Sequence, residues 1–253
     1  MQLSLRQQQI MSLARSAERV LVDELVTTFE LTPQTIRKDL NELCEAGLLA
    51  RVHGGALLPS GVANVGYEQR RNMASEEKRL LGELCAAQIP NNSSLFINIG
   101  TTTEAVARAL LTHQNLMVIT NNLNVANILI QNPSFEIIIA GGVLRHTDGG
   151  VIGEATVDFV KQFKLDYAVV GASALDEEGA LLDFDYREVR VTQAILSNAR
   201  ERFLVTDKTK LERNAPVRVG HASQLTGLFI DELTRPKVAQ VCAQHGVQVY
   251  SLV

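Results

Sequence analysis

The sequence predicts an α/β protein in two parts: a small helical module with a β-hairpin, then a larger, mainly parallel α/β domain. Three observations predict this. The stretch "LPSGVANVGY" (58–67) gathers Pro, Ser, two Gly and Asn with little periodicity, the composition of a linker. The residues before it show apolar side chains at helical spacing. The residues after it alternate short β-rich apolar runs with helical stretches, as a parallel sheet covered by helices requires. The expected boundaries are 1–58 for the module, 59–75 for the linker and 76–253 for the large domain.

Bulk properties narrow the classes. The chain has 253 residues, 46% of them hydrophobic, enough for a sizeable core in one large domain plus a small one. Its net charge of −4 and pI near 5.8 argue against a protein coated in nucleic acid. No apolar run reaches the roughly 18 residues of a membrane span, and the first twenty or so residues lack a signal-peptide core. Cys44, Cys85 and Cys242 stand far apart, as reduced thiols of a cytoplasmic protein do. The histidines at 53, 113, 146, 221 and 245 show no metal spacing, so neither metal nor cofactor is expected.

In the module, a first helix is expected over Arg6–Arg15 with Ile10, Leu13 and Ala14 inward, then an extended segment at 19–22. A second helix over Asp23–Phe29 buries Leu25, Val26 and Phe29. The stretch "LTPQTIRKDL" (31–40) starts a third. Thr32 caps it by accepting from a backbone N–H near Thr35, and Pro33 suits the first helical position, where a missing donor costs nothing. Ile36, Leu40 and Leu43 form the buried stripe. The opposite face presents Gln34, Arg37, Lys38 and Asn41, with Thr35 at its edge. Two helices joined by a tight turn, the second polar outside, read as a helix-turn-helix. Gln and Asn suit adenine edges, Arg suits guanine, and Lys and Thr suit phosphates; a plain solvated face is the alternative.

Gly47 then serves as a C-cap, and "LLARVH" and "ALL" flank Gly54-Gly55, a hairpin signal that makes the motif winged. Arg51 and His53 near its tip can reach the DNA backbone or the minor groove; a turn residue without a partner is the alternative for His53. Residues 1–58 hold the bases Arg6, Arg15, Arg19, Arg37, Lys38 and Arg51 against the acids Glu18, Asp23, Glu24, Glu30, Asp39, Glu42 and Glu45. The module is therefore not net positive, and one copy neutralises few phosphates. A symmetric homo-oligomer, dimer or tetramer, on a repeated half-site of double-stranded DNA is expected.

In the large domain, strands are expected at 94–99, 116–120, 135–140, 167–172, 202–207, 227–231 and 247–252. Helices are expected at 76–88, 102–112, 122–131, 154–161, 187–199 and 235–244. In "INIGTTTEAVARAL" a strand ends at Ile99, Gly100 turns the backbone, and Thr101, Thr102 and Thr103 open a helix. Free N–H groups with hydroxyls beside them make an anion pocket; a Thr-capped helix is the alternative. Thr120-Asn121-Asn122 and Gly141-Gly142 end other strands, and the three loops are expected to converge at the carboxyl ends of the sheet. "LLDFDYREVR" (181–190) presents Asp183, Asp185 and Glu188, which suit proton transfer in an aldose–ketose isomerase, polyol binding, or capping of a helix near Tyr186.

"LTPQTIRKDLNELCEAGLLARVHGGA" resembles the signature of the DeoR-type bacterial repressors. The likeness runs on through "INIGTTTEAVARAL", "AGGVLR" and "LDFDYREVR". "TNNLNVAN" with "DGGVIGEATVDFVKQFKLD" is most similar to a branch of the family responding to glycerol 3-phosphate. The resemblance implies a winged helix-turn-helix, an effector domain related to sugar-phosphate isomerases, no catalysis, and release from operator DNA by a small phosphorylated metabolite. It also implies that Arg70, Lys78, Asp207 and Lys210 take part in effector response. On that basis Lys210 and the Thr101–Thr103 turn hold the phosphate, Asp207 accepts from a ligand hydroxyl, and Arg70 with Lys78 links the pocket to the linker; Lys208 is solvated.

Two positions depart from the family: Leu21 stands where Ser or Thr often precedes the second helix, and Asn98 stands where Asp is frequent. Two other readings remain, a phosphosugar isomerase with an appended DNA-binding module and an architectural DNA-binding protein. The exposed Gln34, Arg37 and Asn41 weigh against the first, and the G-T-T-T loop weighs against the second.

Overall fold

A computed structural model describes residues 3–17, 19–46, 48–52, 54–57, 67–72 and 74–253. The chain divides into two compact units, Met1–Met73 and Ala74–Val253.

The first unit contains helix α1 (Leu5–Ala17), strand β1 (Arg19–Leu21), helices α2 (Val22–Phe29) and α3 (Pro33–Glu45), strands β2 (Ala50–Val52) and β3 (Gly55–Leu57), and helix α4 (Tyr67–Asn72). The three strands form an antiparallel sheet in the order β1-β3-β2. Thr32 Oγ1 accepts from Thr35 N at 3.3 Å and Pro33 opens α3, as its sequence demands. Ile36, Leu40 and Leu43 are completely buried with Ile10, Ala14 and Leu25 in one small core. Leu13, expected inward, is instead 37% exposed, because Met11 takes the inward position of its turn. No side chain caps α2 at Leu21.

The hairpin differs from the expected one by a residue. Val52 pairs with Gly55, so Gly54 (φ +77°) belongs to the turn and Gly55 to the strand. Gly55 serves close approach: a Cβ there would lie 2.1 Å from Val20 O on β1. Helix α4 falls inside the stretch read as linker. The Gly47 cap, His53 and linker residues 58–66 lie outside the described residues.

The second unit opens with α5 (Ser75–Ala86), β4 (Ser94–Ile97), α6 (Thr101–Ala109), β5 (Met117–Thr120), α7 (Leu123–Leu129) and β6 (Glu136–Ile139). A ribbon of β7 (Val143–Leu144) and β8 (Val151–Ile152) leads to α8 (Glu154–Val160) and β9 (Leu165–Val170). Then follow β10 (Ala174–Leu175), β11 (Ala180–Asp183), α9 (Tyr186–Ser197), β12 (Ala199–Thr206), β13 (Val217–His221), β14 (Gly227–Ile230), α10 (Pro236–Gln244) and β15 (Gln248–Ser251).

The seven expected strands form one parallel sheet in the order β15-β14-β12-β9-β4-β5-β6. The inner strands read as apolar runs because helices cover both faces: Phe96 packs into one layer of core, and Leu95 and Ile97 into the other. From β4 the chain winds through β5 to β6, then returns to place β9 on the opposite side of β4. The order of winding thus reverses between β4 and β9, and an open α/β sheet holds its ligand crevice at the carboxyl ends of such strands. The ribbon β7–β8 and the second small sheet, β10-β11-β13, were not expected from sequence.

Candidate nucleic-acid interface and anion crevice

In the first unit, Gln34, Arg37, Lys38 and Asn41 are exposed and Thr35 is half-buried, all on one side of α3. The buried stripe turns them outward. Arg51 Nη1 donates to Asn41 Oδ1 at 2.7 Å, so the wing strand reaches back to the helix and occupies the acceptor of this amide. Asn41 keeps its two donors for another partner.

The stripe also holds a residue that the sequence reading passed over. Asp39 is 4% exposed, and Arg6 pairs with it through Nε–Oδ2 at 2.5 Å and Nη2–Oδ1 at 3.1 Å. An acid between Ile36 and Leu40 on the inward face was the available signal, since a buried carboxylate needs a cation.

In the second unit the turn after β4 is open backbone. Gly100 sits at φ +148°, and a Cβ there would stand 3.3 Å from Thr103 Oγ1. No side chain caps α6. The three threonines divide. Thr103, completely buried, donates its hydroxyl to Asn98 O at 2.7 Å and to Gly100 O at 2.8 Å, fixing the turn. Thr101 and Thr102, 9% and 8% exposed, make no side-chain hydrogen bond among the described residues. Two hydroxyls and uncapped amides therefore meet at the switch point, an arrangement suited to a phosphate.

Asn98 supports the turn from below. Its Oδ1 accepts from Ile99 N at 2.7 Å, and its Nδ2 donates to Thr192 Oγ1 at 2.8 Å. An aspartate could keep the first bond but not donate the second, and so no negative charge lies under the crevice at this position.

The loop after β5 meets this turn. Asn122 Nδ2 and Asn124 Nδ2 donate to Glu104 Oε1 on α6 at 3.4 and 3.1 Å, and Asn124 Nδ2 also donates to Asp148 O at 3.0 Å. Thr120 Oγ1 donates to Ile97 O at 2.6 Å, and Asn121 Nδ2 to Val151 O at 3.0 Å. Among the described residues, Asn121 Oδ1 and, at the end of β12, Thr206 Oγ1 are buried oxygens without a hydrogen-bond partner. Gly141 and Gly142 are exposed; Gly141 O accepts from Thr156 Oγ1 at 2.9 Å, and among the described residues no hydrogen bond joins this pair to the threonine turn.

Asp207 follows β12, two strands from β4 across β9, and is 3% exposed. Burial pushes its carboxyl up; the charge of Lys210, the hydrogen bonds from Thr209, and the charges of Lys78 and Arg213 outweigh it and hold the group below its ordinary value. Lys78, on the first turn of α5, is 5% exposed. Asp207, Lys210 and Lys78 thus form one charged cluster. Arg70 belongs to the first unit, where its guanidinium carbon lies 6.0 Å from the Tyr67 ring centroid. Lys208 Nζ pairs with Glu232 at 2.6 Å on the surface.

The acids after β11 bind a cation. Arg145 Nη2 lies 2.6 Å from Asp148 Oδ2 and 2.5 Å from Glu188 Oε2, and Nη1 lies 3.1 Å from Asp185 Oδ2. Asp185 also caps α9 by accepting from Arg187 N. Burial, then the charge of Asp183, pushes the Glu188 carboxyl up to about 7. Arg145 ends the stretch "AGGVLR", to which the sequence reading gave no role for the arginine. Among the described residues no group of three or more His, Cys, Asp or Glu is arranged to hold a metal ion, and no helix is long and apolar enough to cross a membrane.

Comparison with known proteins gives the following. Residues 6–62 match the model of the DeoR-like helix-turn-helix domain, and residues 73–232 that of the DeoR C terminal sensor domain. The glycerol-3-phosphate regulon repressor of Escherichia coli (strain K12) is 49% identical over 240 residues, 95% of each chain. Its namesake in Haemophilus influenzae is 48% identical, over 92% of this chain and 91% of that one. The HTH-type transcriptional repressor CsqR of Escherichia coli (strain K12) is 43% identical, over 90% of this chain and 87% of its own. A ribose-5-phosphate isomerase solved with phospho-erythronic acid aligns with a TM-score of 0.40 at 17% identity over 54% of each chain.

Proposed function

The chain belongs to the DeoR family of DNA-binding transcriptional repressors, whose C-terminal domain senses an effector, and we propose that it represses a carbon-utilisation regulon, that of glycerol 3-phosphate metabolism, and is released by that metabolite. Operator DNA and a small-molecule effector are its partners; it is a regulator and not an isomerase. The observation that carries the effector reading is the pair of unengaged hydroxyls, Thr101 and Thr102, at the uncapped start of α6 beside the switch point. A phosphate there accepts from the hydroxyls and the first amides, and Lys210 supplies the countercharge. Asp207 accepts from a ligand hydroxyl, and the buried Asn121 Oδ1 and Thr206 Oγ1 are further acceptors for a polyol.

For DNA, Gln34, Arg37 and Asn41 read base edges while Thr35, Lys38, Arg51 and His53 hold the backbone. The protein acts in the cytoplasm as a homo-oligomer. Its self-association surface is the edge strand β6 with the ribbon strand β7 that follows it, where Ile139, Val143 and Leu144 are 47%, 66% and 42% exposed. In this reading 1–58 is the DNA-binding module, 59–75 the linker and 76–253 the effector and self-association domain, and effector binding is relayed through 59–75.

A thermal-shift panel tests the effector assignment. Glycerol 3-phosphate raises the melting temperature of the chain more than ribose 5-phosphate, fructose 6-phosphate or inorganic phosphate does, and none of them is turned over. A larger shift with another sugar phosphate would reassign the effector, and turnover would restore the isomerase reading.

A further inference from the structure

The N-terminal module holds more acids than bases, and three of the acids, Asp39, Glu42 and Glu45, lie on the recognition helix itself. Glu45 is its last residue, and the other two are already engaged. Arg6 grips Asp39 with two nitrogens in the fork geometry of a guanidinium–carboxylate pair. Gln7 Nε2 donates to Glu42 Oε2 at 2.6 Å, and Lys38 Nζ stands 4.0 Å from Glu42 Oε1. Gln7 also closes a capping box at the start of α1: Ser4 N donates to its Oε1 at 3.0 Å, and its own N donates to Ser4 Oγ at 3.2 Å. The first turn of α1 is thereby fastened to α3 along the side that carries Lys38.

Stability alone does not account for this pair. A buried ion pair is commonly replaceable by apolar residues at little cost, and the stripe position of Asp39 is one that a leucine would fill. Yet the Arg6 side chain stays 36% exposed, and its Nη1 has no partner among the described residues. It lines a groove with Thr32, Gln34, Thr35 and Lys38 and with the two engaged acids, Asp39 and Glu42, on the side of α3 that the operator reading turns towards DNA.

We propose that Arg6 grips a phosphate of duplex DNA beside the base edges met by α3, and that Asp39 is the positioning residue that aims its guanidinium there. This rests on the operator reading. It removes the difficulty of an acidic recognition helix, because Asp39 presents its negative charge to Arg6 and not to the duplex. It also gives an unusual sign: deleting this acid weakens binding to a polyanion.

The test uses the full chain and a duplex selected by it from a randomised pool, with affinity measured by fluorescence anisotropy across salt concentrations. Arg6→Gln flattens the slope of log affinity against log salt by about 0.9 per bound copy. Asp39→Asn weakens binding about tenfold, with the variant still folded at the assay temperature. The double variant binds no worse than Arg6→Gln alone and shows the same flattened salt slope, the readout that a merely structural ion pair would not move. A wild-type slope in Arg6→Gln overturns the proposal, as does binding by Asp39→Asn equal to or tighter than wild type. Should Arg6→Gln fail to fold, Asp39→Asn decides alone by the same criterion. A wild-type chain that selects no duplex defeats the operator reading itself, and the proposal with it.

Discussion

Glu188 stands 2.5 Å from Arg145, which also holds Asp148 and Asp185, and burial beside Asp183 pushes its carboxyl up to about 7. A carboxyl raised in the folded state adds stability that is full below its ordinary value and lost as pH rises through the raised one. The second unit should therefore lose up to about 3 kcal/mol of stability between pH 5 and pH 8, and Glu188→Gln should flatten that dependence. Urea unfolding at the two pH values checks it; an unchanged pH dependence in the variant would remove Glu188 from the account. Asp207 carries the opposite sign: held below its ordinary value, it stabilises at neutral pH, and that contribution is lost in acid. Single residues were legible in the sequence where one local rule governed them, as with Thr32 and Pro33. Arg145 was not, because its partners at 148, 185 and 188 meet only when the ribbon and α9 come together.

At the scale of elements, the two helix starts that the sequence marked as unusual make separate predictions. Gly100→Ala forces a residue into a positive-φ conformation and towards Thr103 Oγ1, at a cost of about 1–3 kcal/mol. Thermal melts should show that loss, together with loss of the shift given by glycerol 3-phosphate. A fully responsive Gly100→Ala protein would move the anion site elsewhere. Leu21→Thr supplies the side-chain cap that α2 lacks and should stabilise the first unit by about 0.5–1 kcal/mol in urea unfolding; unchanged or lower stability would mean that the half-buried Leu21 contributes more by packing. The parallel strands were readable because burial on both faces leaves continuous apolar runs such as "SLFINI" and "RFLVTD". The ribbon β7–β8 and strands β10, β11 and β13 were not. They are two to five residues long, too short for a pattern to show, and β13 pairs with a partner distant in sequence, as Leu182 opposite Arg218 illustrates. The hairpin was placed one residue off because Gly55 answers to its approach to Val20 and not to the turn.

For the whole molecule, a module carrying a DNA face and a domain carrying an anion crevice matter together only if they are thermodynamically coupled. Lys210→Ala removes one of the cations acting on Asp207; operator affinity should stay at the wild-type value while the response to effector disappears. A variant released as readily as wild type would exclude Lys210 from the crevice. Sedimentation should show a stable dimer or tetramer, with Val143→Glu shifting it towards monomer and weakening operator binding, because one module alone neutralises few phosphates. The direct measurement of the central claim is operator affinity titrated with glycerol 3-phosphate, paired with effector affinity measured with and without operator. The account predicts that saturating effector weakens operator binding by about 5–150-fold, and that operator weakens effector binding by the same factor. Operator affinity that stays constant while glycerol 3-phosphate saturates the protein would contradict it.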